Sequence, residues 1–372
     1  MPASITLPHG PAASLPARAA TDAAGPRILS RWEFLPGWAV YTPLVVQWIA
    51  LGLRHGSFAL PCLSNPTIPT GGMVNESKAD ILSRLGDPPP DFIARWATLT
   101  AGASALAEAE AAMTRLGLAF PVVLKPDIGC RGAGVKLVGD HASLVRALAA
   151  FRPGVALMLQ YLVPHEGEAG VFWSRAPGAS KGEILSITLK HSPRVTGDGV
   201  RTLRALIEAH PRAGKVPHLY LPRLADRLDE VPPAGEEVRL VFTGNHCRGS
   251  VFTDATSLAT DALRERLEAI LSGIEEFHHG RVDLRFADLD RLLAGHDFTL
   301  IEINGVGSEA THVWDARTTL REIFASQARI TARAFAIGNA NRRRGWRSPG
   351  ILDLLKQWRR QVRLVRDYPP GD

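Results

Sequence analysis

The 372-residue sequence predicts an α+β fold, and three observations lead there. Helical and strand periods alternate from Lys78 onward. Apolar residues make up 45% and charged residues 22%, so a core for two or three subdomains is available. The stretch AFPVVLKPDIGCRGAGVKLV (119–138) runs from a strand that ends at Lys125 into a loop carrying Gly129, Gly132 and Gly134. That G-x-x-G-x-G spacing is neither the dinucleotide fingerprint nor a P-loop, and the lysine precedes the glycines instead of following them.

The elements follow in chain order. Residues 1–30 are rich in Ala and Pro without an apolar period, and read as a disordered leader with no signal-peptide run. Residues 31–75 form an apolar N-terminal segment. Its core, WAVYTPLVVQWIALGL (38–53), falls short of the about 20 apolar residues a spanning helix needs. It reads as a buried or subdomain-covering helix. The sharper alternative is an interfacial membrane helix, with Trp32, Trp38 and Trp48 at headgroup level.

Residues 104–116 put Leu106, Ala109, Met113 and Leu116 on one helical face, with Ser104 as N-cap and Gly117 as the stop. Strands are expected at FPVVLK, GVKLV, 155–163, 182–190, 237–242, 281–286 and 298–303, and helices at 142–151, 202–209, 260–277 and 315–337. In 351–366, Ile351, Leu355, Trp358, Val362 and Val365 share a face, which predicts a helix docked on the core by that face or attached to anionic lipid.

Charge is unevenly placed. Residues 340–372 hold nine basic and three acidic side chains, so this basic amphipathic tail (341–372) carries the whole net charge of +6. The balanced remainder argues against a nucleic-acid-binding core. Cys62, Cys130 and Cys247 form no C-x-x-C pair, which argues against a disulfide framework or zinc site and fits a reducing cytoplasm.

Chemistry concentrates in two strings. Asp283 lies in RVDLRF, and Glu302 and Asn304 lie in FTLIEIN. Glu302 and Asn304 are two apart and share a strand face, which Asp283 can reach from a neighbouring strand. An oxygen-only donor set suits Mg²⁺ or Mn²⁺. Arg281, on the Asp283 face, joins Lys125 and the glycine loop as the cationic and N–H groups that nucleoside triphosphate chemistry needs.

With these strings in place, residues 75–339 resemble the ATP-grasp superfamily. ESKADILSRLG supplies the first lysine, Lys78. The strand before the flap supplies the second, Lys125. LMLQYLVPHEGEAGVF resembles the adenine-binding hinge, with Gln160 where Glu is usual, Leu162 in the hinge and Glu168 as the ribose-binding acid. G-R-x-D and E-x-N resemble the metal-binding strings, here Gly280, Arg281, Asp283, Glu302 and Asn304. PRVTGDGVRTLRALI and VPPAGEEVRLVFTGNHCRGSVFTDAT resemble cyanophycin synthetase segments, and GRVDL with E-x-N resembles D-alanine–D-alanine ligase.

The resemblance implies an ATP-grasp domain over 76–340 with a nucleotide lid at about 115–190. It implies ATP and Mg²⁺ as cofactors, Arg281 at the transferred phosphoryl group, and small-molecule carboxylate and amine substrates. The expected product of activation is an acyl phosphate, attacked by an amine or thiol. The alternatives are a phosphotransferase that stops at the phosphorylated product and a non-catalytic nucleotide-binding protein at the membrane surface. Only 77 residues precede Lys78, so no full N-terminal Rossmann-like domain is expected.

Six further positions stand apart from the motifs. Lys190, His191 and Arg194 read either as contacts to an acidic ligand or as a solvated strand end. His278 and His279 read as surface residues at a helix end, and Glu309 as a substrate-contacting or supporting group.

Overall fold

The computed structural model describes residues 37–86 and 89–372. The leader and Trp32 lie outside the described residues. The fold is α+β, as expected, and every named strand pair is antiparallel.

The first helix, α1, spans Gly37–His55, and the short α2 spans Lys78–Ser83. A four-stranded sheet then forms from β1 (Trp96–Thr100), β2 (Val122–Pro126), β3 (Lys136–Val138) and β4 (Ala156–Tyr161), ordered β1-β4-β2-β3. Helices α3 (Ala105–Leu116) and α4 (His141–Ala149) cover it, and Leu99, Leu124, Leu144 and Leu157 meet in its core. Helix α3 stops at Gly117, whose φ of 58° is the left-handed region glycine tolerates. Ser104 starts this helix without capping it, because its hydroxyl donates to Glu108 instead. Asp140 and Ser143 form a reciprocal capping box at the start of α4.

A five-stranded sheet follows, with order β11-β10-β5-β6-β9. Its strands are β5 (Gly167–Ser174), β6 (Glu183–His191), β9 (Val251–Asp254), β10 (His279–Phe286) and β11 (Phe298–Asn304). Residues 115–190 thus contribute to both sheets. Helices α6 (Asp261–Leu271) and α7 (Leu289–Leu293) pack with α2 on one face, where Ile81, Leu263 and Leu267 meet Val171, Ile187 and Leu284. Strands β5, β6 and β10 are buried almost throughout, because both faces are covered. A small satellite joins β7 (Arg194–Thr196), α5 (Leu203–Ala209) and β8 (Glu237–Arg239). The strand expected to run to residue 242 ends at Arg239, whose guanidinium turns to the Val241 and Phe242 carbonyls.

Helix α8 (Leu320–Arg343) opens with a Thr319–Glu322 capping box and carries α1 on its flank. Gln47 donates to the Ala328 carbonyl at 2.9 Å, and Trp48 meets Phe335 edge-on at 5.1 Å. So α1 covers a subdomain along one side only; Trp38, Val45, Val46, Ile49 and Leu53 on its other side are exposed.

The last helix, α9 (Ile351–Arg366), corrects the expectation that its apolar face docks on the core. Four of the five residues on its predicted apolar face, Ile351, Leu355, Trp358 and Val362, are exposed. The inward side instead holds Gln357 and Gln361, which accept from the Asn75 side chain (2.9 Å) and backbone N–H (2.5 Å). His278 and His279 are corrected too. Both are buried, and His279 lies within β10 between Ser174 (3.0 Å) and the Phe172 ring. Burial pushes the His279 imidazole down to about 3, so it is neutral.

Candidate active site

The two sheets meet at one cleft of about 630 Å³. Its floor is the β10–β11 pair. Arg281 stands opposite Asn304 and Asp283 opposite Glu302, so all four side chains share one sheet face. The register slips just after Asp283, where Leu284 pairs with Leu300 and Ile301 is left over. The Ile301 carbonyl accepts from Lys125 Nζ and Gln160 Nε2, each at 3.2 Å. This bulge therefore ties the floor to β2 and β4 of the smaller sheet.

Asp283 is fully engaged. Its Oδ1 accepts from Arg281 Nε at 2.9 Å and contacts Lys190 Nζ at 3.0 Å. Its Oδ2 accepts from Arg281 Nη2 at 3.1 Å and Asn304 Nδ2 at 3.5 Å. Burial works against the Asp283 carboxylate, but Arg281 and Lys190 outweigh it and hold the carboxyl below its ordinary range. Glu302 is less committed, with Lys78 Nζ at 3.9 Å.

Lys190 sits buried between Asp283 and Glu168, 3.1 Å from the latter, and Arg285 reaches Glu168 at 3.5 Å. Burial raises the Glu168 carboxyl, and the two cations bring it below the usual value. Glu168, the expected ribose acid, thus lines the cleft with its carboxylate already paired. Gly170, opposite Asp283, makes room for this cluster: a Cβ there would sit 3.0 Å from Asp283 Oδ1.

Lys78 opens α2, whose N-cap is Ser77. Its ammonium donates to the carbonyls of Asp127 (3.2 Å) and Gly129 (3.3 Å), beneath the glycine loop. Asp127 also accepts from Ala79 N–H at 2.8 Å, which fixes the start of α2 against β2. Burial lowers the Lys125 ammonium to about 8, partly offset by Glu302. Lys78, Lys125, Gly129, Gly132, Gln160, Leu162, Glu168, Arg281, Asp283, Glu302 and Asn304 all line the cleft. Gly134 does not. It packs on Pro126 and Phe151, and its N–H donates to the Pro369 carbonyl at 3.1 Å.

Two contributors, Glu76 and Asp127, escaped sequence reasoning. Glu76 accepts from Gly305 N–H at 2.6 Å, and burial pushes its carboxyl up to about 8. Lys190 was visible only as part of a basic cluster, and Asp127 not at all. At the far end of the cleft, Glu309 accepts from Tyr41 (3.3 Å), Gln327 (3.3 Å) and Trp314 (3.2 Å), while its backbone carbonyl accepts from Arg281 at 2.9 Å. No signal in the chain linked Glu309 to α1, which supplies Tyr41.

The donors fit a hard cation in chemistry, with two carboxylates and an amide on one face. Asp283 becomes available to a cation only if Arg281 or Lys190 turns away. Among the described residues there is no cluster of three or more His, Cys, Asp or Glu suited to a metal.

No family model matches the sequence, and no curated protein does. Among solved structures, the chain is similar to a bifunctional glutathione synthetase from Pasteurella multocida. Identity there is 18% over 67% of this chain and 35% of that one, with a TM-score of 0.33. It is similar to a D-Ala:D-Ser ligase from Enterococcus faecalis at 12% identity, covering 69% of this chain and 62% of that one, with a TM-score of 0.36. An L-amino acid ligase from Bacillus licheniformis gives 14%, 66%, 44% and 0.36 on the same measures. The chain spans from about a third to about three fifths of the length of these proteins.

Proposed function

We propose that this protein is an ATP- and Mg²⁺-dependent ligase of the ATP-grasp kind, activating a carboxylate as an acyl phosphate for attack by an amine or thiol. One observation carries the reading: Lys78, Lys125, Arg281 and the oxygen donors Asp283, Glu302 and Asn304 converge on one cleft beneath a glycine-rich loop. ATP would supply the phosphoryl group, and Mg²⁺ would neutralise its oxygens.

The chain's residues supply position and charge, which is most of what phosphoryl transfer needs. Lys78 and Lys125 offer cations on the loop side of the cleft. Arg281, anchored by Asp283 and by the Glu309 carbonyl, would stabilise the group being transferred. Gln160 and Leu162 would border the adenine, and Glu168 the ribose. The loop 127–135 would exclude water that otherwise destroys an acyl phosphate. Glu309 would meet the amine: three neutral donors orient its carboxylate, and burial raises its carboxyl. An ammonium would relieve that cost.

The test is ADP release over a panel of amino acids and other carboxylic acids, with hydroxylamine present. Hydroxamate formed together with ADP supports the ligase. ADP with a stable phosphorylated product and no hydroxamate identifies a phosphotransferase. Absence of any stimulated ADP release contradicts both.

A further inference from the structure

Two helices at the rim of the cleft present apolar side chains outward. On α1, Leu44, Gln47, Trp48 and Leu51 face inward, and the opposite stripe of Trp38, Val45, Val46, Ile49 and Leu53 is exposed. Trp38 is 74% exposed and Leu53 69%. The helix has no charged side chain before Arg54, so this stripe lacks the polar cover that a water-facing helix carries.

Helix α9 is turned the same way. Its glutamines face the protein, whereas Leu352 (78% exposed), Ile351, Leu355, Trp358 and Val362 face out. Lys356, Arg359, Arg360, Arg363 and Arg366 lie on the same helix, with Asp353 its only acid. Apolar side chains beside a surplus of arginines match the two layers of an anionic bilayer surface, acyl chains beneath phosphate headgroups. A protein partner of ordinary polarity would not call for both at once. Among the described residues no helix is long and apolar enough to cross a membrane, so any lipid contact of these helices is along the surface. Both helices border the same cleft, α1 through Tyr41, Leu44 and Trp48 and α9 through Gln361.

We propose that α1 and α9 together form a face that seats the protein on an anionic membrane surface, beside the mouth of the cleft. The face stands independently of the chemistry in the cleft.

The test is flotation of the full chain with vesicles of phosphatidylcholine alone or mixed with phosphatidylserine. The protein should float with the phosphatidylserine vesicles, less so as salt rises. Val46→Asp with Ile49→Asp, and separately Arg359→Glu with Arg363→Glu, should each reduce partitioning on the order of tenfold or more. All four side chains point away from the core, and circular dichroism checks that the fold persists. Wild-type protein that stays in solution with phosphatidylserine vesicles overturns the proposal, as does flotation of both double variants to the wild-type extent. Self-association without vesicles that Val46→Asp with Ile49→Asp abolishes would assign the face to a second copy of this chain instead.

Discussion

Asp283 and Glu302 stand directly opposite each other on β10 and β11, yet only Asp283 is held by direct ion pairs to two cations. The pair therefore separates into a structural and an available carboxylate. Asp283→Asn removes the anion that holds Lys190 and Arg281 in a buried place. Such a loss costs about 3–5 kcal/mol. Glu302→Gln should cost under about 1 kcal/mol, because its one ion pair is long, at 3.9 Å, and Glu302 itself is partly exposed. Urea unfolding of both variants measures the contrast; equal losses would show that the two carboxylates carry the same structural load.

Lys190→Met tests the same cluster from the cation side. Glu168 and Asp283 would remain buried, each with an arginine but without the ammonium between them. Stability should fall by about 3 kcal/mol or more at neutral pH. It should partly recover in mild acid, where the two carboxyls can take up protons. A variant as stable as the parent at pH 7 would deny Lys190 this bridging role.

Nucleotide binding should weaken with rising pH. Burial lowers Lys125 to about 8 and raises Glu76 to about 8. At pH 7 Lys125 is cationic and Glu76 neutral; at pH 9 Lys125 is neutral and Glu76 anionic. Both changes make the cleft less hospitable to phosphate. Affinity for a fluorescent ATP analogue should fall about tenfold or more between pH 7 and 9. Lys125→Met and Glu76→Gln should each flatten the profile. A pH-independent affinity in the parent protein would contradict the assignment.

The glycine loop is strapped by the end of α9 and the residues after it. Tyr368 donates to the Ile128 carbonyl at 2.8 Å. Asp372 accepts from Lys136 Nζ (2.7 Å) and Leu137 N–H (2.9 Å) and reaches Thr243 across the cleft. Asp372→Ala should speed amide exchange over 134–137 by roughly tenfold while leaving the melting temperature nearly unchanged. Hydrogen exchange read by mass spectrometry decides this, and unchanged protection would mean that the strap does not restrain the loop.

What could be read from the chain was local. Strand periodicity placed Glu302 and Asn304 on one face, and Arg281 and Asp283 likewise, because a period of two needs no knowledge of neighbours. The Glu168–Lys190–Asp283 cluster was illegible, since β5, β6 and β10 bring together side chains up to 115 residues apart. The helical period of α9 identified an apolar face but not its direction; the polar partner Asn75, far away in sequence, decides that. His278 and His279 looked exposed because they follow a helix, and proved buried because β10 begins there. Glu309 owes its setting to Tyr41 on α1, 268 residues earlier, a pairing that no local pattern encodes.

The most direct test of the central claim is calorimetric titration of the full-length protein with ATP and Mg²⁺, beside Glu302→Gln and Lys125→Met. The parent protein should show one site per chain. Binding should fall at least about tenfold in each variant, with their folds intact by circular dichroism. No binding by the parent protein, or equal binding by all three, would contradict a nucleotide site in this cleft.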